Sequence, residues 1–333
     1  MREVHIEVSD PKARGARGKS PGAVRTFGAY FFYWSLAHYY FLPGLYFYRY
    51  SSILGLSLAV KRKSRMPGHV LYDLLHGGLE ATHCLEFDFF WKRLRGRHNL
   101  GDYLDLCSPR VFPLVLLHKR AFKRATLVSP DSKDLSVTAE LIKAAGLDQA
   151  CGTIARGFAQ GAFHDQSFDV ITSVSTPQLV WRSPETLAAA WRCLRPGGTL
   201  LISLPCVTDA SEPDHPRSQG RAIALNRRTP PREFYDSRLI DERIFKIVGP
   251  PSRVMIYGET VAGSSRERLK RRLTDPSYPL WQEPLILGRG WRCFSSIDEL
   301  PGEGITTLEF TKPLNGREPK TSARVLTPLS AAI

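Results

Sequence analysis

Residues 191–206, WRCLRPGGTLLISLPC, constrain this chain more than any other stretch. Ser183 and Pro184 open a helix ahead of it, since a Ser side chain accepts from free N–H groups and Pro suits the first helical position. Leu187, Trp191 and Leu194 fall on one face of that helix. Pro196, Gly197 and Gly198 end it, because Pro cannot continue a helix and Gly takes the left-handed backbone of a C-terminal cap. Residues 199–204 then read as a short, largely apolar strand, which suits a parallel strand covered on both faces. A helix turning tightly into such a strand predicts a sheet flanked by helices.

The rest of the chain supplies partners for that unit. Residues 103–106, 125–128 and 169–174 read as further strands, with an antiparallel final strand near 305–310 and another strand at 253–257. A helix starts near Ser132 with Val137, Leu141, Ala144 and Ala145 on its apolar side. Asp236 caps another, whose apolar positions are Ile240, Ile244, Ile247 and Val248 and which stops at Gly249-Pro250. Residues 258–304 are far too long for a hairpin, and Tyr278, Trp281, Glu283, Trp291 and Phe294 make them too aromatic for a linker. They read as a substrate-side cover, with a purely structural flap as the alternative.

The strand Phe168-Asp169-Val170-Ile171-Thr172-Ser173, followed by a helix, the LRPGG turn and the TLLIS strand, resembles the closing half of a class I S-adenosylmethionine-dependent methyltransferase. The resemblance implies an α/β, Rossmann-like, doubly wound and mostly parallel sheet of the class I methyltransferase type, here with an N-terminal helical extension. It also implies S-adenosyl-L-methionine as cofactor and methyl transfer to a small or lipid-linked acceptor. At the cofactor motifs the chain departs from the family. Asp105 matches the strand-end acid, but Cys107, Pro109 and Val111 stand where an LDxGxGxG loop has glycines. Ser108 and Arg110 offer polar groups instead, as in a divergent branch with an LDxxSPR-type loop. Ser129 replaces the ribose-holding acid, and Asp131 either reaches the ribose in a shifted loop or caps the helix. Gly157 replaces the adenine-side Asp, leaving Phe158 to cover the adenine face by stacking, and Ser173 ends the fourth strand. Pro177-Gln178-Leu179 stands in place of an LEH-like triplet. Two readings follow: an enzyme with a rebuilt cofactor loop, or a non-catalytic scaffold on the same fold. No catalytic residue is assigned. His164, His215, Tyr235 and Glu259 lie near strand ends as general-base candidates, and none stands in a recognisable motif.

The formal charge of +14 over 333 residues asks for an acidic partner: nucleic acid, an anionic membrane surface or an acidic substrate. No nucleic-acid motif accompanies the basic stretches, which disfavours the first. Residues 1–66 comprise a basic arm and the aromatic run FGAYFFYWSLAHYYFLPGLYFYRY at 27–50, interrupted by His38 and Pro43-Gly44. Packing on the domain or on a second subunit (a homodimer), lying at a membrane interface, and spanning a membrane are all open to it. Residues 67–100 read as a helical cover, 101–313 as the methyltransferase-like domain and 314–333 as a loose tail. Six scattered cysteines form no CxxC, so a reducing cytoplasm is expected, with peripheral membrane contact as the variant. His76, His83 and Cys84 lie close in sequence, but ordinary packing accounts for them and no metal site is assigned.

Overall fold

The computed structural model describes residues 46–60, 81–95, 100–119, 121–155, 163–174, 184–209, 234–274 and 290–314, with Ser35, Leu74 and Phe158 singly. Gly157, residues 177–179, His76, His215, Tyr278, Trp281, Glu283, the basic arm, the tail and most of the aromatic run lie outside them.

Eight strands form one sheet in the order β3-β2-β1-β4-β5-β8-β6-β7. They are β1 (Leu100–Leu106), β2 (Phe122–Ser129), β3 (Cys151–Ala155), β4 (Phe168–Ser173), β5 (Leu194–Cys206), β6 (Arg253–Glu259), β7 (Trp291–Phe294) and β8 (Gly304–Thr311). The first five pair in parallel, and β8 enters antiparallel between β5 and β6. The Rossmann-like, mostly parallel class I architecture expected from the sequence is present. Two strands were not foreseen. β3 (CGTIA) and β7 (WRCF) are short edge strands without a fully buried residue, so neither has the continuous apolar run that marks a central strand.

The LRPGG stretch also behaves differently from expectation. The helix before it ends at Cys193, and β5 begins at once with Leu194. Lys312 Nζ, not a glycine cap, serves the helix end: it donates to the carbonyls of Trp191 (2.8 Å), Arg192 (3.2 Å) and Leu194 (2.7 Å). These are carbonyls a helix C-terminus leaves without intrahelical partners. Gly197 (φ 78°) and Gly198 instead extend the ladder to β8, exchanging backbone hydrogen bonds with Lys312. A Cβ on Gly198 would lie 2.8 Å from the Arg195 carbonyl, so only glycine fits this approach.

Helices cover both faces. One face carries α1 (Tyr46–Val60), α2 (Ala81–Leu94), α3 (Val111–His118) and α4 (Ser132–Ala145). The other carries α5 (Pro184–Cys193) and α6, which runs from Ser237–Ile240 through a π-helical turn at Asp241–Phe245 to Lys246–Val248. Asp236 caps α6 as expected, its Oδ1 accepting from the Leu239 N–H at 2.7 Å. On the first face Phe47, Phe87, Phe90 and Phe112 are fully buried and mutually in contact, with Phe87 stacked on Phe112 at 5.0 Å. Burying each such ring contributes about 2–3 kcal/mol. The end of the aromatic run, Phe47 and Tyr50, is therefore domain core, joined to Trp91 of α2. No helix among the described residues is long and apolar enough to cross a membrane.

Candidate functional site

Open α/β sheets bind ligands beyond the carboxyl ends of their parallel strands, and there the chain turns through a left-handed non-glycine residue. Just past β1, Cys107 takes φ 61°, a left-handed conformation that disfavours any side chain. It is held by its N–H donating to the Val128 carbonyl at 2.9 Å and by its thiol directed at the same oxygen at 3.4 Å. The Ser108 N–H donates to Asp105 Oδ1 at 3.0 Å, and the Val174 N–H donates to Ser108 Oγ at 3.1 Å. The missing glycines are thus replaced by side chains that lace the loop to β1, β2 and the end of β4. Burial pushes the Cys107 thiol up to about 12, so it is a neutral thiol at physiological pH.

Asp105 is the centre of that lacing rather than an outward-facing contact. Its Oδ2 lies 2.8 Å from the Tyr103 hydroxyl and 2.7 Å from the Thr172 hydroxyl, which are themselves 2.6 Å apart. Three oxygens so arranged have three edges, and the two hydroxyls bring only two hydrogens. A proton on the Asp105 carboxyl would complete the third. Burial raises the Asp105 carboxyl against the hydrogen bonds it receives, and it pushes the Tyr103 phenol well up too. Both oxygens of Asp105 accept from protein donors, and through them it shapes the loop.

Two more expected contacts have intramolecular partners. Arg110 forms an ion pair with Asp134 in the first turn of α4. Asp131 caps that helix, with Oδ1 accepting from the N–H groups of Lys133 (3.0 Å) and Asp134 (3.1 Å). Asp131→Ala should therefore lower unfolding stability by about 1 kcal/mol. Affinity for S-adenosylhomocysteine should stay within about twofold; ΔG differences at the level of 1 kcal/mol correspond to more than that. Chemical denaturation and calorimetric titration check the pair, and weaker binding at unchanged stability would make Asp131 a ligand contact.

Phe158 packs beside the second-face cluster with Cys107, Ile154 and Phe163, and it stacks on Phe163 at 5.8 Å. Ser173 is fully buried at the end of β4, opposite Ile202. The general-base candidates fare less well. His164 is exposed in the segment leading into β4, at the amino end of the strands. Tyr235 is buried in a backbone bridge to Cys206. Glu259 accepts from the N–H groups of Gly263, Ser265 and Glu303 and from the Ser264 hydroxyl, at 2.7–2.9 Å. Burial works to raise its carboxyl, but these donors prevail and hold it below the usual value, so it is a structural anion and no base. Tyr103 and Thr172 were not singled out from the sequence. The available signal was Tyr103 two residues before Asp105, which places both on one face of β1.

At the opposite, amino edge, Asp102 and Asp169 interlock with Arg124 and Arg195 at 2.5–2.8 Å. Burial alone would raise the Asp102 carboxyl, and the two guanidiniums together lower it. A polar cleft of about 410 Å³ beside them has its charges matched within the protein. Gly101 belongs to this lattice, since a Cβ there would sit 2.2 Å from the Asp169 carboxylate.

Residues 104–202 match the family model described as a methyltransferase domain. No curated protein sequence matches the chain. Among solved structures, a geranyl diphosphate methyltransferase in complex with S-adenosylmethionine superposes with a TM-score of 0.51 at 13% identity, over 73% of this chain and 89% of that one. The MccD protein gives 0.49 at 12%, over 68% and 96%. A geranyl diphosphate C-methyltransferase from Streptomyces coelicolor A3(2) gives 0.47 at 10%, over 67% and 76%. The fold is that of the class I S-adenosylmethionine-dependent methyltransferases. The match to a methyltransferase domain model lies within that fold, over residues 104–202.

Proposed function

We propose that this protein transfers a methyl group from S-adenosylmethionine to a small or lipid-linked acceptor. The observation that carries the reading is where the matched segment falls. It opens in β1 and closes in β5, and so encloses the laced loop at 107–110, Phe158 and the end of β4. The loop's left-handed turn at Cys107 gives the backbone the course that a glycine would, which fits a cofactor cradle built without glycines. The cofactor, when bound, supplies a methyl group on a sulfonium leaving group. The protein's part is to hold it through the 107–110 backbone and Phe158, to align the acceptor and to exclude water. The net charge of +14 suits an acidic or lipid-surface acceptor, and residues 258–304 would cover it.

The full chain, given S-adenosylmethionine labelled in the methyl group, should label a component of a protein-free aqueous or lipid extract. Label in the lipid phase identifies a lipid acceptor, and label in the aqueous phase a small soluble one. The engagement of Asp105, Arg110 and Asp131 within the protein favours the second reading, a non-catalytic scaffold. Cofactor binding with no transfer into either extract would establish it.

A further inference from the structure

Glu86 of α2 is fully buried against the sheet, where its Oε1 accepts from the Ser203 hydroxyl of β5 at 2.7 Å. Its Oε2 lies 2.6 Å from Nδ1 of His83, one turn back on the same helix. The His83 ring lies parallel to Phe87 at 5.8 Å, and Phe87 stacks in turn on Phe112 of α3. A carboxylate at Nδ1 takes the ring's hydrogen there and leaves Nε2 as a lone-pair acceptor. Among the described residues Nε2 has no hydrogen-bond partner, and the side chain keeps 15% exposure.

The position matters as much as the tautomer. Ser173 and Ile202 are the last rung joining β4 to β5, and one residue further on stand Val174 and Ser203. The Val174 N–H donates to Ser108 of the laced loop, and the Ser203 hydroxyl to Glu86. The loop, the end of β4, Ser203, Glu86 and His83 thus follow one another along the carboxyl edge of the sheet. Packing gives no reason for a buried carboxylate at this point, because an apolar side chain of similar volume is as stabilising or more so.

We propose that His83, oriented by Glu86, is the general base of the methyl transfer, and that the acceptor is a hydroxyl compound, an alcohol or a phenol. This rests on the methyltransferase reading above. Such an oxygen is a poor nucleophile until its proton is removed, which neutral imidazole can do and which a carboxylate or a free amine does not need. The acceptor O–H proton goes to Nε2 as the oxygen attacks the methyl carbon. An O–CH₃ bond forms while the S–CH₃ bond breaks, and its electron pair stays on sulfur, giving the methyl ether and S-adenosylhomocysteine. The imidazolium then returns its proton to water.

The test uses the full chain with labelled S-adenosylmethionine and the extract that wild type labels, alongside calorimetric titration with S-adenosylhomocysteine. His83→Ala and His83→Gln should lower turnover by about 100-fold or more. His83→Gln should melt near wild type, His83→Ala lower because the buried Glu86 loses its contact with the ring, and both should bind S-adenosylhomocysteine as wild type does. Added imidazole should restore part of the His83→Ala rate, a response that lost packing would not give. Glu86→Gln should reduce turnover less, with its acceptor KM kept. The labelled product should be an ether, stable to base and to hydroxylamine. Turnover by His83→Ala within about threefold of wild type, or an N- or S-methylated product, overturns the assignment while leaving the methyltransferase standing. Absence of transfer by wild type overturns the enzyme reading, and the assignment with it.

Discussion

Asp105→Ala is expected to lower the unfolding free energy by about 3–5 kcal/mol, because it leaves several buried polar groups without their partner at about 1–3 kcal/mol each. The substitution strips acceptors from the Tyr103 hydroxyl, the Thr172 hydroxyl and the Ser108 N–H at once. Tyr103 is fully buried and Thr172 likewise, so water cannot replace what is lost. Asp105→Asn should be milder, about 1 kcal/mol, because an amide hydrogen can complete the ring of three oxygens as a carboxylic acid does. The pair also has a pH signature. The carboxyl is raised in the folded protein, so its contribution is full below the ordinary value of 3.8 and is lost as pH rises toward the folded value. Wild type should therefore gain on Asp105→Asn as pH falls toward 4 in urea titrations. A pH-independent difference would mean that folding leaves the carboxyl unshifted, and a gain in the opposite direction that the acid is ionised in the fold.

Glu259→Gln should cost about 3 kcal/mol, for a related reason with the opposite pH dependence. Four donors converge on this carboxylate, two at each oxygen, so the amide NH₂ of Gln faces at least one backbone N–H in either orientation. It holds the start of helix α7 (Ser264–Thr274) and the turn before β8, and Gly302 is tied to it: a Cβ there would meet Oε1 at 2.1 Å. Negative charge at a helix N-terminus adds to the effect. The carboxyl is lowered on folding, so its contribution is present above the ordinary value of 4.5 and is lost as pH falls through the folded value. Acid titration should show the gap between wild type and Glu259→Gln closing below pH 4.5. Equal stability of the two at pH 7 would remove Glu259 as the staple of this segment.

Much of the frame was legible because it obeys local rules. The central strands announce themselves as apolar runs, and Asp131 and Asp236 stand where N-caps stand. What escaped was set by partners distant in sequence. Lys312 ends α5 from 118 residues or more away, a relation no window reveals. β3 and β7 lie at edges, where burial does not impose a pattern on four or five residues. At the candidate site the sequence showed which family positions had changed, but not what the replacements do. The Asp105 ring needs Thr172 from β4, 67 residues on, and the lacing of the loop needs the Val128 carbonyl and the Val174 N–H. The place of His83 depends on Glu86, which is held by Ser203 of β5 from 117 residues further on.

The central claim is that a loop without the family's glycines is still a cofactor cradle, and calorimetric titration of the full chain with S-adenosylhomocysteine tests it most directly. The expected result is saturable binding at one site per chain, with a melting temperature that rises with ligand concentration. Phe158→Ala should weaken that binding, because the adenine loses its stacking face, and the adjacent Phe163 should leave the fold intact. A folded protein that takes up no S-adenosylhomocysteine at millimolar concentration, by heat or by melting shift, would contradict the account.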